Sequence, residues 1–134
     1  MTPVAARRTI AIGALSALLA VALGAFGAHG LRGVLDADHL RTFETAVRQQ
    51  TTHAIALVLT GLLAERRSSR ALSVAALAFG VGSVLFCGSV YALAFDAPRV
   101  LGVVAPVGGL AFMAGWLAVA VGAFAPPASA DRAA

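Results

Sequence analysis

The chain contains no lysine and a single cysteine, Cys87. One cysteine excludes an intrachain disulfide and a cysteine-built metal centre. Charge is also scarce. Asp, Glu, Lys and Arg make up 12 % of the residues, against about 25 % in an ordinary soluble domain. No Gly-x-y repeat and no charged heptad pattern is present, which excludes collagen-like and coiled-coil fibres. The sequence has no Gly-rich phosphate loop and no Gly-x-Ser-x-Gly. It also lacks the His-x-x-x-His and Glu-x-x-His spacings that build metal sites on helices. No cofactor or metal is expected.

What is abundant is apolar surface. Ala, Val, Ile, Leu, Met, Phe, Trp, Tyr and Cys account for 60 % of 134 residues, and the mean hydropathy is +0.89. That content excludes disorder and places the chain in a lipid bilayer. The length allows one domain. The formal charge of +4 would suit a nucleic-acid binder, but the arginines lie between or beside apolar runs. That distribution fits topology signals and lipid headgroups, so nucleic acid is not an expected partner.

A membrane-crossing helix needs about 20 apolar residues. Charge-free runs mark spans at about 10–30, 71–95 and 100–124. Pro106 either starts the last of these or marks a kinked entry at 100–105. A fourth span, second in chain order, is less obvious. Its purely apolar stretch, Ala54 to Ala64, is too short to cross alone. A span must therefore reach back to Phe43, giving about 43–64, and must absorb Arg48, Gln49, Gln50, Thr51, Thr52 and His53. On a helix, Thr45, Gln49, Thr52, His53, Ala56 and Thr60 share one face. Polar groups facing lipid are costly, so that face should turn inward. Glu44 and Arg48 stand four apart and can pair.

The expected fold is thus all-α, an integral membrane bundle of four transmembrane helices, residues 1–125, with a small, polar, disordered tail at 126–134. Six arginines (Arg7, Arg8, Arg66, Arg67, Arg70, Arg132) flank one side and four the other, which puts both termini in the cytoplasm. An alternative treats residues 1–27 as a cleaved leader, with Arg7-Arg8 before an apolar core; it would leave three spans.

Helices in membranes associate at small residues. Gly13, Ala17, Ala20, Gly24 and Gly27 follow steps of three and four along the first span, and Gly108, Ala111, Gly115, Ala118 and Gly122 do so along the last. Both read as helix-packing seams. His29, Glu44, Gln49, Gln50, His53 and Tyr91 fall in one half of an antiparallel bundle and form a candidate polar cluster. His53 and Gln49 are expected to hydrogen-bond across helices and fix packing, and His29 to sit at the headgroup boundary. The functional expectation is a non-enzymatic membrane protein packing with itself or with a larger membrane complex. The alternative is a small transporter or channel using the polar half of span two around His53, the one ionisable group deep enough to carry a proton.

Four blocks carry a family resemblance. Leu23-Gly24-Ala25-Phe26-Gly27-Ala28-His29-Gly30-Leu31 is the first. Phe43-Glu44-Thr45-Ala46-Val47 with Gln50 and His53-Ala54 is the second. Leu85-Phe86-Cys87-Gly88-Ser89-Val90-Tyr91 and Pro106-Val107-Gly108-Gly109 with Gly115-Trp116 complete the set. Together they resemble a bacterial membrane family, domain of unknown function 423, the YgdD-like proteins, similar to animal transmembrane protein 256. The chain departs from that pattern at Gln49 and Thr52, where the family carries aromatics, at Cys87, where Ser is usual, and at Ala105, where Thr is usual. The resemblance implies a small inner-membrane protein of about four helices and no known activity.

Overall fold

The computed structural model describes residues 1–67 and 69–127. Among them there are four long helices and no strands: α1 (Pro3–His29), α2 (Ala37–Arg66), α3 (Arg70–Leu93) and α4 (Arg99–Ala123). Most of the tail expected at 126–134 lies outside the described residues.

The helix starts are written locally. Thr2 caps α1, its hydroxyl accepting from the Ala5 amide at 3.2 Å, with Pro3 at the first helical position. Asp36 caps α2 by accepting from the Asp38 and His39 amides, both at 2.9 Å. Ser69 caps α3 through the Ala71 amide. These caps start α1 and α2 several residues before the apolar runs at 10–30 and 43–64 begin. α4 opens with a 3₁₀ turn, Arg99–Val103, and becomes α-helical at Val104. Pro106 therefore sits in the first α turn, where its missing N–H costs no bond.

α1, α3 and α4 are long and apolar enough to cross a membrane, with 27, 24 and 25 residues. At 1.5 Å per residue even 24 residues extend roughly 36 Å, beyond the hydrocarbon thickness. α2 is longer, 30 residues, but is not apolar enough for the same criterion, because Asp38, Arg41, Glu44, Arg48 and two glutamines occupy its first half. Of the four transmembrane helices expected, three are long and apolar enough to cross a membrane.

The helices pair as two antiparallel hairpins, α1 with α2 and α3 with α4, joined where α2 meets α3. Small residues set both registers. A β-carbon added at Gly13 would come within 2.8 Å of the Ala54 carbonyl and the Val58 side chain, and Gly61 sits in the same way against Ala6 and Ile10. In the second hairpin Gly122 faces Leu72, Gly115 faces Phe79, Gly82 faces Phe112 and Gly108 faces Phe86. Each glycine admits a bulky partner and lets the backbones approach. Of the seam residues, Gly13, Ala20 and Gly27 are buried and Ala17 and Gly24 half-buried; Gly108, Gly115 and Gly122 are buried and Ala111 and Ala118 half-buried. The glycine contacts named here lie between helices of this chain.

α3 is interrupted by a π-helical turn at Ser83–Cys87. The widened turn brings Phe86 against Gly108 and Phe112, and Ser89 donates to the freed carbonyls of Leu85 and Phe86. At the ends, Arg67 donates to the Ala125 carbonyl at 2.7 Å, tying the α2–α3 corner to the end of α4. At the opposite end Leu31, Phe43 and Ala94 form a small apolar plug under the α1–α2 loop.

Candidate functional site

The polar residues of α2 lead to two separate centres rather than one cluster. Gln50 organises the first. Its side-chain amide donates to the Ser16 carbonyl of α1 at 3.1 Å, and its side-chain oxygen accepts from the Tyr91 hydroxyl of α3 at 2.8 Å. A single side chain thus stitches three helices. Phe43 packs on the Tyr91 ring at 5.1 Å between centroids and orients it. A shallow recess of about 340 Å³ opens beside these groups, lined by Leu19, Leu23, Val84 and Cys87 among others.

Loss of the Gln50 bonds is testable. Tyr91→Phe removes one interhelical hydrogen bond and is expected to lower stability by about 0.6 kcal/mol, the typical worth of such a bond in a membrane protein. Gln50→Leu should cost more, since it removes both. Reversible unfolding in mixed micelles checks the order.

His53 organises the second centre. It is buried, 4 % exposed, and lies between α3 and α4 near the middle of both. Its ring stacks on Phe112, with centroids 3.3 Å apart and planes at 4°, and meets Phe79 at 5.7 Å. Nδ1 lies 2.8 Å from the Gln49 carbonyl in its own helix, and Trp116 Nε1 approaches Nε2 at 3.4 Å. An indole N–H only donates, and a carbonyl only accepts. These partners assign His53 as the neutral tautomer with hydrogen on Nδ1. Of the bonds expected to run from His53 and Gln49 to other helices, His53 makes one, to Trp116 of α4, while its other nitrogen meets the Gln49 backbone within α2. Thr60, one turn beyond Ala56, returns its hydroxyl to the Ala56 carbonyl at 2.7 Å.

The remaining cluster candidates lie apart. His29 is exposed at the end of α1, and Glu44 is exposed on α2. The pairing expected between Glu44 and Arg48 is not among the ion pairs of the described residues, which are Arg7–Glu65, His39 with Asp36 and with Asp96, and Arg41–Asp38. On the face expected to turn inward, His53, Ala56 and Thr60 are buried, Thr45 and Gln49 are half-buried, and Thr52 is exposed. No group of three or more metal-binding side chains converges among the described residues.

His39, near the start of α2, forms a clasp between the two hairpins. Nδ1 meets Asp36 at 2.7 Å and Nε2 meets Asp96 at 3.1 Å. Asp96 adopts φ 59° to present its carboxylate, a left-handed conformation that Asp tolerates. The hydrogen bond to Asp36, then its charge, hold His39 above its ordinary pKa of 6.5. The His39 amide, then its side chain, hold Asp36 below its ordinary 3.8. A raised histidine stabilises the fold below its unfolded value and loses that contribution as pH rises through the folded one. Amide exchange in the 94–98 turn is therefore expected to quicken from pH 6 to 8 beyond the intrinsic base-catalysed rise, and His39→Asn should abolish the excess. An equal excess in the variant would contradict the clasp.

Comparison with known proteins matches this framework to one family. The family described as "Protein of unknown function (DUF423)" matches residues 23–109, which span the end of α1, all of α2 and α3, and the start of α4. A UPF0382 membrane protein of Staphylococcus saprophyticus is 41 % identical over 86 % of this chain and 95 % of its own length. YwdK of Bacillus subtilis, a UPF0382 membrane protein, is 40 % identical over 85 % of this chain and 94 % of its own. The UPF0382 inner membrane protein YgdD of Escherichia coli is 36 % identical over 87 % of this chain and 89 % of its own. No solved structure matches. With its apolar helices and these relatives along most of its length, the chain belongs to the DUF423 family of membrane proteins, a family of unknown function.

Proposed function

We propose that this is a four-span integral membrane protein with a structural, non-enzymatic role, assembling in the inner membrane with itself or with a larger membrane complex. α2 is read as the fourth span because it runs antiparallel beside α1 from Phe43, opposite Gly27, to Gly61, opposite Ala6 and Ile10. A helix paired along a spanning helix shares its depth. Two of its polar side chains at that depth, Gln50 and His53, are met by protein groups rather than by lipid. Both termini then lie on one side, the cytoplasmic one by the arginine distribution.

The observation that carries the structural reading is the closure of both polar centres. Gln50 and His53 spend their hydrogen bonds on Ser16, Tyr91, Gln49 and Trp116, which is how polar groups hold membrane helices together. A transport role would need His53 to exchange a proton with both sides of the membrane. Its two ring nitrogens are already engaged, and the geometry favours packing.

Assembly is tested by extracting native membranes in a mild detergent and measuring the mass of the purified particle, with its protein content, by light scattering and mass spectrometry. The reading expects two or more copies, or a fixed partner protein in constant ratio. A detergent-independent monomer that also runs alone in nanodiscs would contradict it.

A further inference from the structure

We propose that the outward face of α2 is the contact between two copies of this chain, with Glu44 of each copy paired to Arg48 of the other across a two-fold axis normal to the membrane. The proposal rests on the four-span assembly reading and specifies its face and its partner.

α2 meets α1 and α3 on adjacent sides, leaving an outward stripe of Arg41, Glu44, Arg48, Thr52, Ile55, Leu59 and Leu62, all exposed. Steps of three and four make the stripe a continuous line along the helix. The outward residues of the neighbouring spans are apolar, including Leu15, Leu18 and Val21 on α1 and Leu110, Met113 and Leu117 on α4. α2 differs in the half before His53, where the stripe carries charge. Arg41 is neutralised by Asp38. Glu44 and Arg48 have no ion-pair partner among the described residues.

Depth makes that exposure costly. Phe43 and Val47 pack against Gly27 and Gly24, in the last turns of α1 and within the charge-free run that stops before Arg32. Glu44 and Arg48 therefore stand beside apolar chain, where ionised groups are rare and seek counter-charges. The long Arg48 stem can lift its head toward the surface; the shorter Glu44 gains less from this.

The sign pattern selects the occupant. A lipid phosphate would satisfy Arg48 and repel Glu44. A second, parallel copy presents an acid to the base and a base to the acid, and forms two pairs through one self-complementary patch. Helix side chains lean toward the N-terminus, so Arg48 reaches toward the level of the partner's Glu44. A cleft of about 170 Å³, floored by Gly24 and Gly27 and edged by Glu44 and Arg48, lies ready for a side chain of the second copy. Further along, Ile55, Leu59 and Leu62 continue the seam with apolar bulk.

The test uses full-length protein in native membranes. Cys87 is buried and is replaced by alanine, and Thr52→Cys supplies a thiol on the stripe. Copper-phenanthroline oxidation is expected to give a covalent dimer. Adding Glu44→Arg should reduce the dimer about tenfold, and adding both Glu44→Arg and Arg48→Glu should restore it, since reversed charges still complement. The proposal is overturned if Thr52→Cys and Leu59→Cys both fail to cross-link, if Glu44→Arg has no effect, or if the double reversal stays as low as the single one. Failure on this face in a protein that still purifies with copies or a partner leaves the assembly reading intact; a monomer by mass removes both.

Discussion

Gly108→Val in α4 is expected to cost about 3 kcal/mol of unfolding free energy, or to remove the protein from the membrane fraction altogether. A β-carbon there meets the backbone nitrogen and α-carbon of Phe86, atoms that cannot swing aside. Overpacking of a close-packed site costs roughly 1–3 kcal/mol, and a backbone clash belongs at the upper end. Gly13→Val should behave alike, because the Ala54 carbonyl and Val58 amide lie within 3 Å of the added carbon. Gly80 and Gly88 have nothing within 4 Å of that position. Their replacement by alanine should be neutral or stabilising by up to about 1 kcal/mol, through helix propensity alone. Unfolding titrations in mixed micelles separate the two classes. Equal effects at all four sites would mean that close backbone approach does not hold the hairpins.

His53→Ala is expected to cost a comparable amount, about 2–4 kcal/mol, from the cavity left beside Phe112 and Phe79. His53→Phe keeps the stacked ring but presents no acceptor to Trp116 and no donor to the Gln49 carbonyl, and should lose about 1 kcal/mol. Trp116 is the chain's one tryptophan, so its emission reports on this site directly. Both variants should shift it to shorter wavelength as the indole N–H loses its acceptor. Emission unchanged in His53→Ala would contradict the Trp116–His53 contact.

The fold was legible where composition speaks. Three spans follow from charge-free runs, and the glycine steps of α1 and α4 mark the faces used in the hairpins. The steps themselves carried no partner identity. Gly108 meets Phe86, Phe79 meets Gly115, and only three-dimensional register pairs small with large. α2 was half legible. The inward turn of His53 and Thr60 follows from the cost of polar groups in lipid, but the same argument places Thr52 inward and the structure leaves it exposed. Trp116 and Phe112 escaped as partners of His53 because they lie about sixty residues away. Their four-residue spacing on one face of α4, beside Gly115, was the available signal. The π-helical turn at Ser83–Cys87 has no sequence mark beyond its glycine neighbours, Gly82 and Gly88. The His39 clasp has no local mark, since its partner Asp96 comes from a turn between distant helices.

The central claim is that α2 crosses the bilayer with Gln50 and His53 inside. Reporter fusions that score cytoplasmic against external location test it directly, placed at the N-terminus, within the α1–α2 loop at Gly33, at the α2–α3 corner, at the Ala97 turn and at the C-terminus. The account predicts that the two ends and the α2–α3 corner report the cytoplasm, while Gly33 and Ala97 report the opposite side. Ends in opposite compartments, with Gly33 and the α2–α3 corner on one side, would mean that α2 lies along the surface and would contradict the account.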